Sequence, residues 1–229
     1  EDVIFVTSNY SEAHKAVTRE LSNITKQFGD FATPILFFSD SNNFRKKISP
    51  DYKGHRNRKK PCGYKRVIRD LRINYEVIVM KTLEADDAMG IYATAHPGNI
   101  IVSPDKDMRQ IPGKLYNLTD TTYITPEEGA KWHLIQTLAG DQTDGYSGVP
   151  GIGVKRAETL FDKEGYSWQT VLKAFNDKGL TDADALLNAR LARILTLDDY
   201  DTKRQEPILW TPEVSFTIDD GARLQDASY

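Results

Sequence analysis

The stretch GDQTDGYSGVPGIGVKRA, residues 140–157, holds five glycines within eighteen residues. Its turn Gly151-Ile152-Gly153 leads into a helical pattern that starts with Lys155 and Arg156. Glycines leave backbone N–H and C=O groups open to a phosphate, often with a bound monovalent cation such as K⁺, and the two cations add charge at the helix start. The stretch therefore predicts a helix-hairpin-helix that binds a DNA backbone without reading its sequence, through Gly151, Gly153, Lys155 and Arg156. A turn with a structural role alone is the alternative.

Upstream of this hairpin, short apolar runs alternate with helical patterns. The predicted strands are residues 34–38, 77–80, 99–102, 115–118 and 122–124, and the predicted helices are residues 11–27, a segment after Pro61, and residues 84–95. This alternation predicts an α/β fold with a mainly parallel central sheet flanked by helices. A capping box at Thr125 opens a further helix to about Ala139, and the chain beyond it is helical. We divide the chain into an α/β domain, residues 1–124, and a helical DNA-binding subdomain, residues 125–229.

Eight carboxylates lie beside these elements: Asp40, Glu84, Asp86, Asp87, Asp105, Asp107, Asp141 and Asp144. Six of them follow three successive strands, and ligands of an open α/β sheet bind beyond the carboxyl ends of its strands. Like charges gathered there repel unless cations occupy the site, and Mg²⁺ favours oxygen ligands. We therefore expect two Mg²⁺ ions, with Mn²⁺ as a substitute. Taken singly, each of the six strand-end acids has a plainer interpretation as a helix cap or turn residue.

Positive charge is concentrated in one part of the chain. The net charge is -3 and the pI about 5.9, but residues 44–72 carry twelve Lys or Arg against two acids. Residues 84–107 carry five carboxylates against one cation. A basic run beside an acidic cluster suits a phosphate backbone that meets metal-holding carboxylates. Two solvated surface faces are the alternative.

Several classes of protein are disfavoured. No apolar run approaches the roughly 18 residues that cross a bilayer, so no membrane partner is expected. Cys62 is the single cysteine and the N-terminus lacks the pattern of a signal peptide, which predicts a cytoplasmic location. The sequence has no HExxH, no CxxC pair and no Walker loop, and zinc is therefore not expected.

Several ordered motifs together resemble the 5'-nuclease superfamily, which includes flap endonucleases, the 5'-nuclease domain of bacterial DNA polymerase I and phage 5'-3' exonucleases such as those of T7-like podophages. The matching text is FSD ending at Asp40, Phe44-Arg45, PDYKGHR at 50–56, EADD at 84–87, SPDKD at 103–107, GDQTDGYSG at 140–148 and ARLARIL at 189–195. These motifs extend over nearly the whole chain.

The resemblance implies roles for these residues. Asp40, Glu84, Asp86, Asp87 and Asp105 would serve the first metal ion or its waters, and Asp107, Asp141 and Asp144 the second. Lys53 and Arg56 would be catalytic residues on a helical arch, residues 43–60, that contact the scissile phosphate and the 5' end. Arg45, Lys46 and Tyr52 would bind DNA, Tyr52 by stacking on a base. The arch is basic with few apolar anchors, and we expect it to be mobile without DNA.

The implied activity is metal-dependent 5'-3' exodeoxyribonuclease and flap endonuclease cleavage in phage DNA replication and degradation, together with removal of RNA primers. The implied partners are duplex 5' ends, flaps and RNA–DNA hybrids, bound by a monomer. A phosphatase with an Asp-x-Asp pair at Asp105 and Asp107 is an alternative that leaves the helix-hairpin-helix unexplained.

One departure from the superfamily concerns its first strand, which carries a further metal-binding aspartate. Here Asp2 precedes the apolar run Val3–Val6 instead of following it. We therefore expect an incomplete sheet and an impaired first metal site. The alternative function is a catalytically impaired protein that binds DNA structures.

Overall fold

The computed structural model describes residues 9–29, 32–56 and 60–212. Asp2 and Val3–Val6 lie outside these residues, as do residues 57–59 of the predicted arch. The elements before residue 125 are α1 (Tyr10–Lys26), β1 (Ile35–Phe37), α2 (Arg45–Ile48), α3 (Tyr64–Asn74), β2 (Glu76–Ile78), α4 (Ala85–Ala95), β3 (Ile100–Val102), β4 (Gly113–Tyr116) and β5 (Thr121–Ile124). After it come α5 (Pro126–Ala139), α6 (Val154–Glu164), α7 (Trp168–Asn176), α8 (Asp182–Ala192), β6 (Tyr200–Asp201) and β7 (Glu206–Pro207).

The described strands of the α/β part form two separate sheets, in agreement with the incomplete sheet that we expected and not with a single continuous central sheet. Strand β1 pairs in parallel with β2, while β3 pairs in parallel with β4, which pairs antiparallel with β5. A cavity of about 760 Å³ is lined by residues of both β1 and β3 together with Phe28 and Tyr92. Within the described chain no strand fills this space, and main-chain hydrogen bonds do not join β1 to β3.

The first helix of the helical part, α5, begins where the sequence predicts, directly after Thr125. Thr125 Oγ1 accepts from the N–H of Glu128, and the Glu128 carboxylate accepts from the N–H of Thr125. This reciprocal cap fixes the first turn of α5, as the capping box predicts. Trp132, Leu138, Phe161 and Phe175 form the core shared by α5, α6 and α7.

The chain that leaves α8 returns to the α/β part. Residues 191–195, the anchor segment, pack into three clusters separate from the core of the helices. Ile194 contacts the cluster of Ile101 and Leu115, and Leu195 contacts that of Phe44 and Ile91. The proposed division near residue 125 is therefore bridged by this segment.

Among the described residues of the predicted arch, only α2 is helical, and these residues are better anchored than we expected. Phe44 is 6% exposed and Tyr52 is 2% exposed. The Lys53 N–H donates to the carbonyl of Asp144 (2.7 Å), which ties the turn after α2 to the hairpin stretch. The buried side chains of Phe44 and Tyr52 thus hold residues 44–56 against the body of the protein, although the composition of this segment is strongly basic.

Among the described helices, none has the length and apolar character that crossing a membrane requires.

Candidate active site

Two acidic turns at the ends of neighbouring elements carry the centre of the site. Glu84 caps α4 and places Asp86 in its first turn. Asp105 follows β3, and its Oδ1 accepts from the N–H of Asp107, which starts a 3-10 turn at residues 106–110. The predicted arrangement of acids after strands therefore holds for these residues.

The carboxylates of the two turns repel one another. Burial, followed by the charge of Asp105, raises the pKa of Asp86 to about 7. Burial, again followed by the charge of Asp105, raises the pKa of Asp107 to about 6. Asp105 therefore interacts with both, and burial together with this repulsion disfavours the charged form of Asp86 and of Asp107.

A second layer of acids is neutralised by the turn that follows α2. The Lys53 Nζ donates to Glu84 Oε1 (2.5 Å) and lies 3.4 Å from Asp144 Oδ2. Arg56 donates to the Asp144 carboxylate and to the carbonyl of Thr143. Although burial opposes it, the charges of Arg45 and Lys53 lower the pKa of Glu84. The two predicted catalytic cations therefore lie on predicted metal ligands.

Tyr52 is held in the same place and has no ring face free for a base. Its hydroxyl donates to Glu84 Oε2 (2.8 Å), with Asp144 Oδ2 at 3.3 Å. Since the side chain is 2% exposed, the prediction that it stacks on DNA is not supported by this arrangement.

Arg45 and Asp87 form a buried ion pair, which contradicts the predicted DNA contact of Arg45. The guanidinium is 1% exposed and donates two hydrogen bonds of 2.7 Å to Asp87, which is 0% exposed. It also donates to the carbonyls of Leu191 and Arg193 in the anchor segment. The N–H of Leu195 donates to Asp87 Oδ1 (3.2 Å). Asp87 is therefore saturated by protein groups and does not face the site as a metal ligand.

Asp40 takes part in a turn. Its Oδ2 accepts from the N–H of Thr82 (2.8 Å) and its Oδ1 from the N–H of Ser41 (2.6 Å). The backbone N–H of Thr82, followed by that of Ser41, lowers the pKa of Asp40. These contacts agree with the alternative interpretation of Asp40 as a cap or turn residue. Its role as a metal ligand stays a proposal.

The hairpin stretch brings the last two acids to the site. Asp141 Oδ1 accepts from the N–H and hydroxyl of Thr143, and its Oδ2 lies 3.5 Å from Lys106 Nζ. Gly145 has a φ of +86°, and a Cβ there would lie 2.6 Å from the carbonyl oxygen of Asp51. Glycine at this position therefore permits the close approach that places Asp144 beside Lys53.

The described acids do not form a ready ligand set. Within residues 9–29, 32–56 and 60–212, no group of three His, Cys, Asp or Glu side chains is close enough to hold one ion. The expected convergence of six carboxylates is therefore not present among the described residues, because Glu84 is paired with Lys53, Asp87 is buried with Arg45 and Asp40 belongs to a turn.

The helix-hairpin-helix forms an exposed corner. Gly153 caps α6, and a Cβ at this position would meet nothing within 4 Å. Arg156 donates to the carbonyl of Gly151 (2.6 Å), which holds the turn, while Lys155 is exposed. Lys46 on α2 is also exposed. Binding of a DNA backbone at this corner stays a prediction.

Three residues of the site escaped the sequence interpretation. Gln110 and Gln136 are buried beside Asp107, and Gln136 donates to its carboxylate. Lys106 reaches Asp141. A glutamine within a helix gives no periodic or charge signal in the sequence. Lys106 did give a signal, because it lies between Asp105 and Asp107, but the sequence analysis assigned it no role.

The geometry has counterparts among known proteins. Residues 7–133 match the family described as 5'-3' exonuclease, N-terminal resolvase-like domain. The chain is 33% identical to the exodeoxyribonuclease of Enterobacteria phage T3, over 78% of this chain and 73% of that relative. The chain belongs to the 5'-3' exonuclease family. This exonuclease is also 32% identical to the exonuclease of Escherichia phage T7, with the same two coverages.

The exonuclease shares its fold with a solved structure. This is the bacteriophage T5 D15 flap endonuclease, described as a pseudo-enzyme-product complex with DNA and metal ions. The TM-score is 0.60 at 15% identity, and the match covers 78% of this chain and 80% of that one. The likeness supports the α/β fold, and the relatives from phages T3 and T7 make the chain a homologue of phage exonucleases.

Proposed function

We propose that the chain is a divalent-metal-dependent nuclease that hydrolyses DNA from the 5' end, at duplex ends and at flaps. The observation that carries this proposal is the arrangement of acids and cations: Asp86, Asp105 and Asp107 lie on two neighbouring turns, and Lys53 and Arg56 lie on the adjacent carboxylates of Glu84 and Asp144. Burial, followed by the charge of Asp105, raises the pKa values of Asp86 and Asp107. Excess carboxylate next to phosphate-binding cations is the arrangement that two-metal hydrolysis of a phosphodiester needs.

The residues fit Mg²⁺ or Mn²⁺ because the donor set consists of carboxylate oxygens. Asp86 and Asp105 would hold one ion or its waters, and Asp107 and Asp141 the other. Glu84 and Asp144 would join them when Lys53 and Arg56 turn toward DNA. When bound, the ions activate a water and stabilise the leaving oxygen.

The protein groups position the DNA. Lys53 and Arg56 exchange their carboxylate partners for the scissile phosphate, which puts two positive charges on the group that gains negative charge during hydrolysis. Lys155 and the open backbone at Gly153 bind the duplex away from the cut. Backbone contacts of this kind set orientation without reading bases.

The test is cleavage of a 5'-labelled duplex and a 5'-flap by the chain with Mg²⁺ and with EDTA. Asp86→Asn keeps the shape of the side chain and removes its charge, and we expect it to lower kcat by about a hundredfold or more. The exposed Asp198, changed to Asn, is the matched control and keeps full activity. Metal-independent cleavage, or equal activity of the two variants, would contradict the proposal.

The alternative, a DNA-structure-binding protein with impaired catalysis, is favoured by one observation. The described acids form no group of three side chains close enough to hold one ion. Binding of the flap without metal-dependent cleavage would support this alternative. Cleavage products that the wild-type protein forms with Mg²⁺ and not with EDTA would exclude it.

A further inference from the structure

A chain of buried amides runs from the anchor segment to the carboxylate of Asp107. The N–H of Ile194 donates to Gln110 Oε1 (3.0 Å), and Gln110 Nε2 donates to Gln136 Oε1 (2.7 Å) and to the carbonyl of Ala192 (2.7 Å). Gln136 Nε2 donates to Asp107 Oδ1 (2.5 Å). Gln110 is 1% exposed and Gln136 is 4% exposed.

Each bond of this chain fixes the direction of the next. The N–H of Ile194 can only donate, so the oxygen of the Gln110 amide faces it. The nitrogen of Gln110 then faces two oxygens, one of which belongs to Gln136. The nitrogen of Gln136 is left to face Asp107. A reversed Gln136 amide would place its nitrogen against the nitrogen of Gln110 and its oxygen against the carboxylate of Asp107, and burial makes both mismatches costly.

The backbone holds the two amides at a fixed distance. A Cβ at Gly129 would lie 2.3 Å from the carbonyl oxygen of Gln110. Glycine there lets α5, which carries Gln136, pack directly on the 3-10 turn that carries Asp107 and Gln110. The side-chain bonds are therefore built on a tight backbone contact.

We propose that Gln136 is a positioning residue, which holds Asp107 Oδ1 and thereby orients the carboxylate toward the second metal ion. The proposal rests on the proposed function, since it assigns Asp107 to that ion. Gln110 acts one step further away by fixing the direction of the Gln136 amide. Partners of this kind orient metal-binding carboxylates and typically change metal affinity by about ten- to a hundredfold.

The test is Gln136→Met, which keeps the length of the side chain and removes the donor. Mn²⁺ binding to the DNA-free protein is measured by calorimetry, together with kcat and KM on the 5'-flap. We expect the affinity of one of two Mn²⁺ sites to fall by about tenfold, and kcat to fall at unchanged KM for DNA. The exposed Gln169 on α7, changed to Met, is the matched control and leaves both values unchanged.

Gln110→Met is the second variant, and it decides the question if Gln136→Met does not fold. It leaves Gln136 in contact with Asp107 but without a fixed direction, and we expect a loss of about threefold at the same Mn²⁺ site. Unchanged Mn²⁺ affinity in both folded variants would overturn the positioning role and leave the proposed function standing. Absence of Mn²⁺ binding to the wild-type protein would overturn both.

Discussion

Lys53 is a cation that binds a carboxylate of the site and is also needed to bind the phosphate of DNA. Lys53 is half-buried and 2.5 Å from Glu84. It is paired with a carboxylate in the metal-free protein and is needed at a phosphate in the proposed reaction. A cation that occupies a metal ligand competes with the metal, and binding linkage makes this competition reciprocal.

Removing this competing charge separates metal binding from cleavage. We expect Lys53→Met to raise the Mn²⁺ affinity of the DNA-free protein by about fivefold, which corresponds to about 1 kcal/mol. The same change lowers kcat on a 5'-flap by about tenfold or more, because the scissile phosphate loses a cation. Calorimetry and single-turnover cleavage measure the two effects. The exposed Lys47, changed to Met, is the control, and a parallel loss of both quantities would contradict the competition.

The buried ion pair of Arg45 and Asp87 contributes to the stability of the folded protein. We expect Arg45→Met to lower the free energy of unfolding by about 3 to 5 kcal/mol, since it leaves Asp87 charged and buried without its partner. Arg69, whose side chain is 71% exposed beside Asp70, gives the matched comparison, and Arg69→Met is expected to cost under about 1 kcal/mol. Urea unfolding in EDTA compares them. If the two variants lose the same free energy of unfolding, the buried ion pair of Arg45 with Asp87 would be contradicted.

At the scale of elements, the part of the fold that depends on local signals was predictable. The cap at Thr125 and the spacing of α1 gave helix bounds within one or two residues of those observed. Partners distant in sequence were not predictable. Arg45 lies in a basic run and was taken for a DNA contact, yet it binds carbonyls near residue 192. Gln110 and Gln136 gave no pattern, because a buried amide is identified only by its partners.

The start of α6 is the element that we expect to hold duplex DNA. Lys155→Gln removes one phosphate contact there, and the slope of log K against log salt is expected to become shallower by about 1. Lys173, exposed on α7 and paired with Asp177, serves as the control in the form Lys173→Gln. Fluorescence anisotropy of a labelled duplex over a range of KCl concentrations measures both slopes. Identical slopes for the two variants would remove α6 from the DNA interface.

Over the whole molecule, one buried histidine links the stability of the helical part to pH. His133 lies 2.8 Å from the carbonyl of Ala189, to which its Nε2 donates, and its ring packs against Trp210. Burial, followed by the charge of Arg193, lowers the pKa of His133 to about 4. The unfolded chain takes up this proton near pH 6.5 and the folded chain does not, so stability is lost as the pH falls from about 6.5 to about 4.

A variant that does not titrate isolates this effect. His133→Gln keeps a donor near the position of Nε2, and we expect the stability of the wild type relative to this variant to fall by about 2 to 3 kcal/mol between pH 7.5 and pH 4.5. Urea unfolding of both proteins in EDTA gives the difference at each pH, and the carboxylates common to both cancel. A difference that stays constant over this interval would contradict the buried neutral ring.

The anchor segment also has a consequence for the order of events during synthesis. Arg45 is 146 residues from Leu191, its carbonyl partner, and Asp87 is 108 residues from Leu195. At about 5 to 20 residues per second, a ribosome needs roughly 7 to 30 seconds to pass from the first of these partners to the last. All eight acids are translated well before the segment that holds Arg45, Gln110 and Asp87 in place. We therefore expect a polypeptide released before residue 191 to contain every proposed metal ligand and to leave DNA intact.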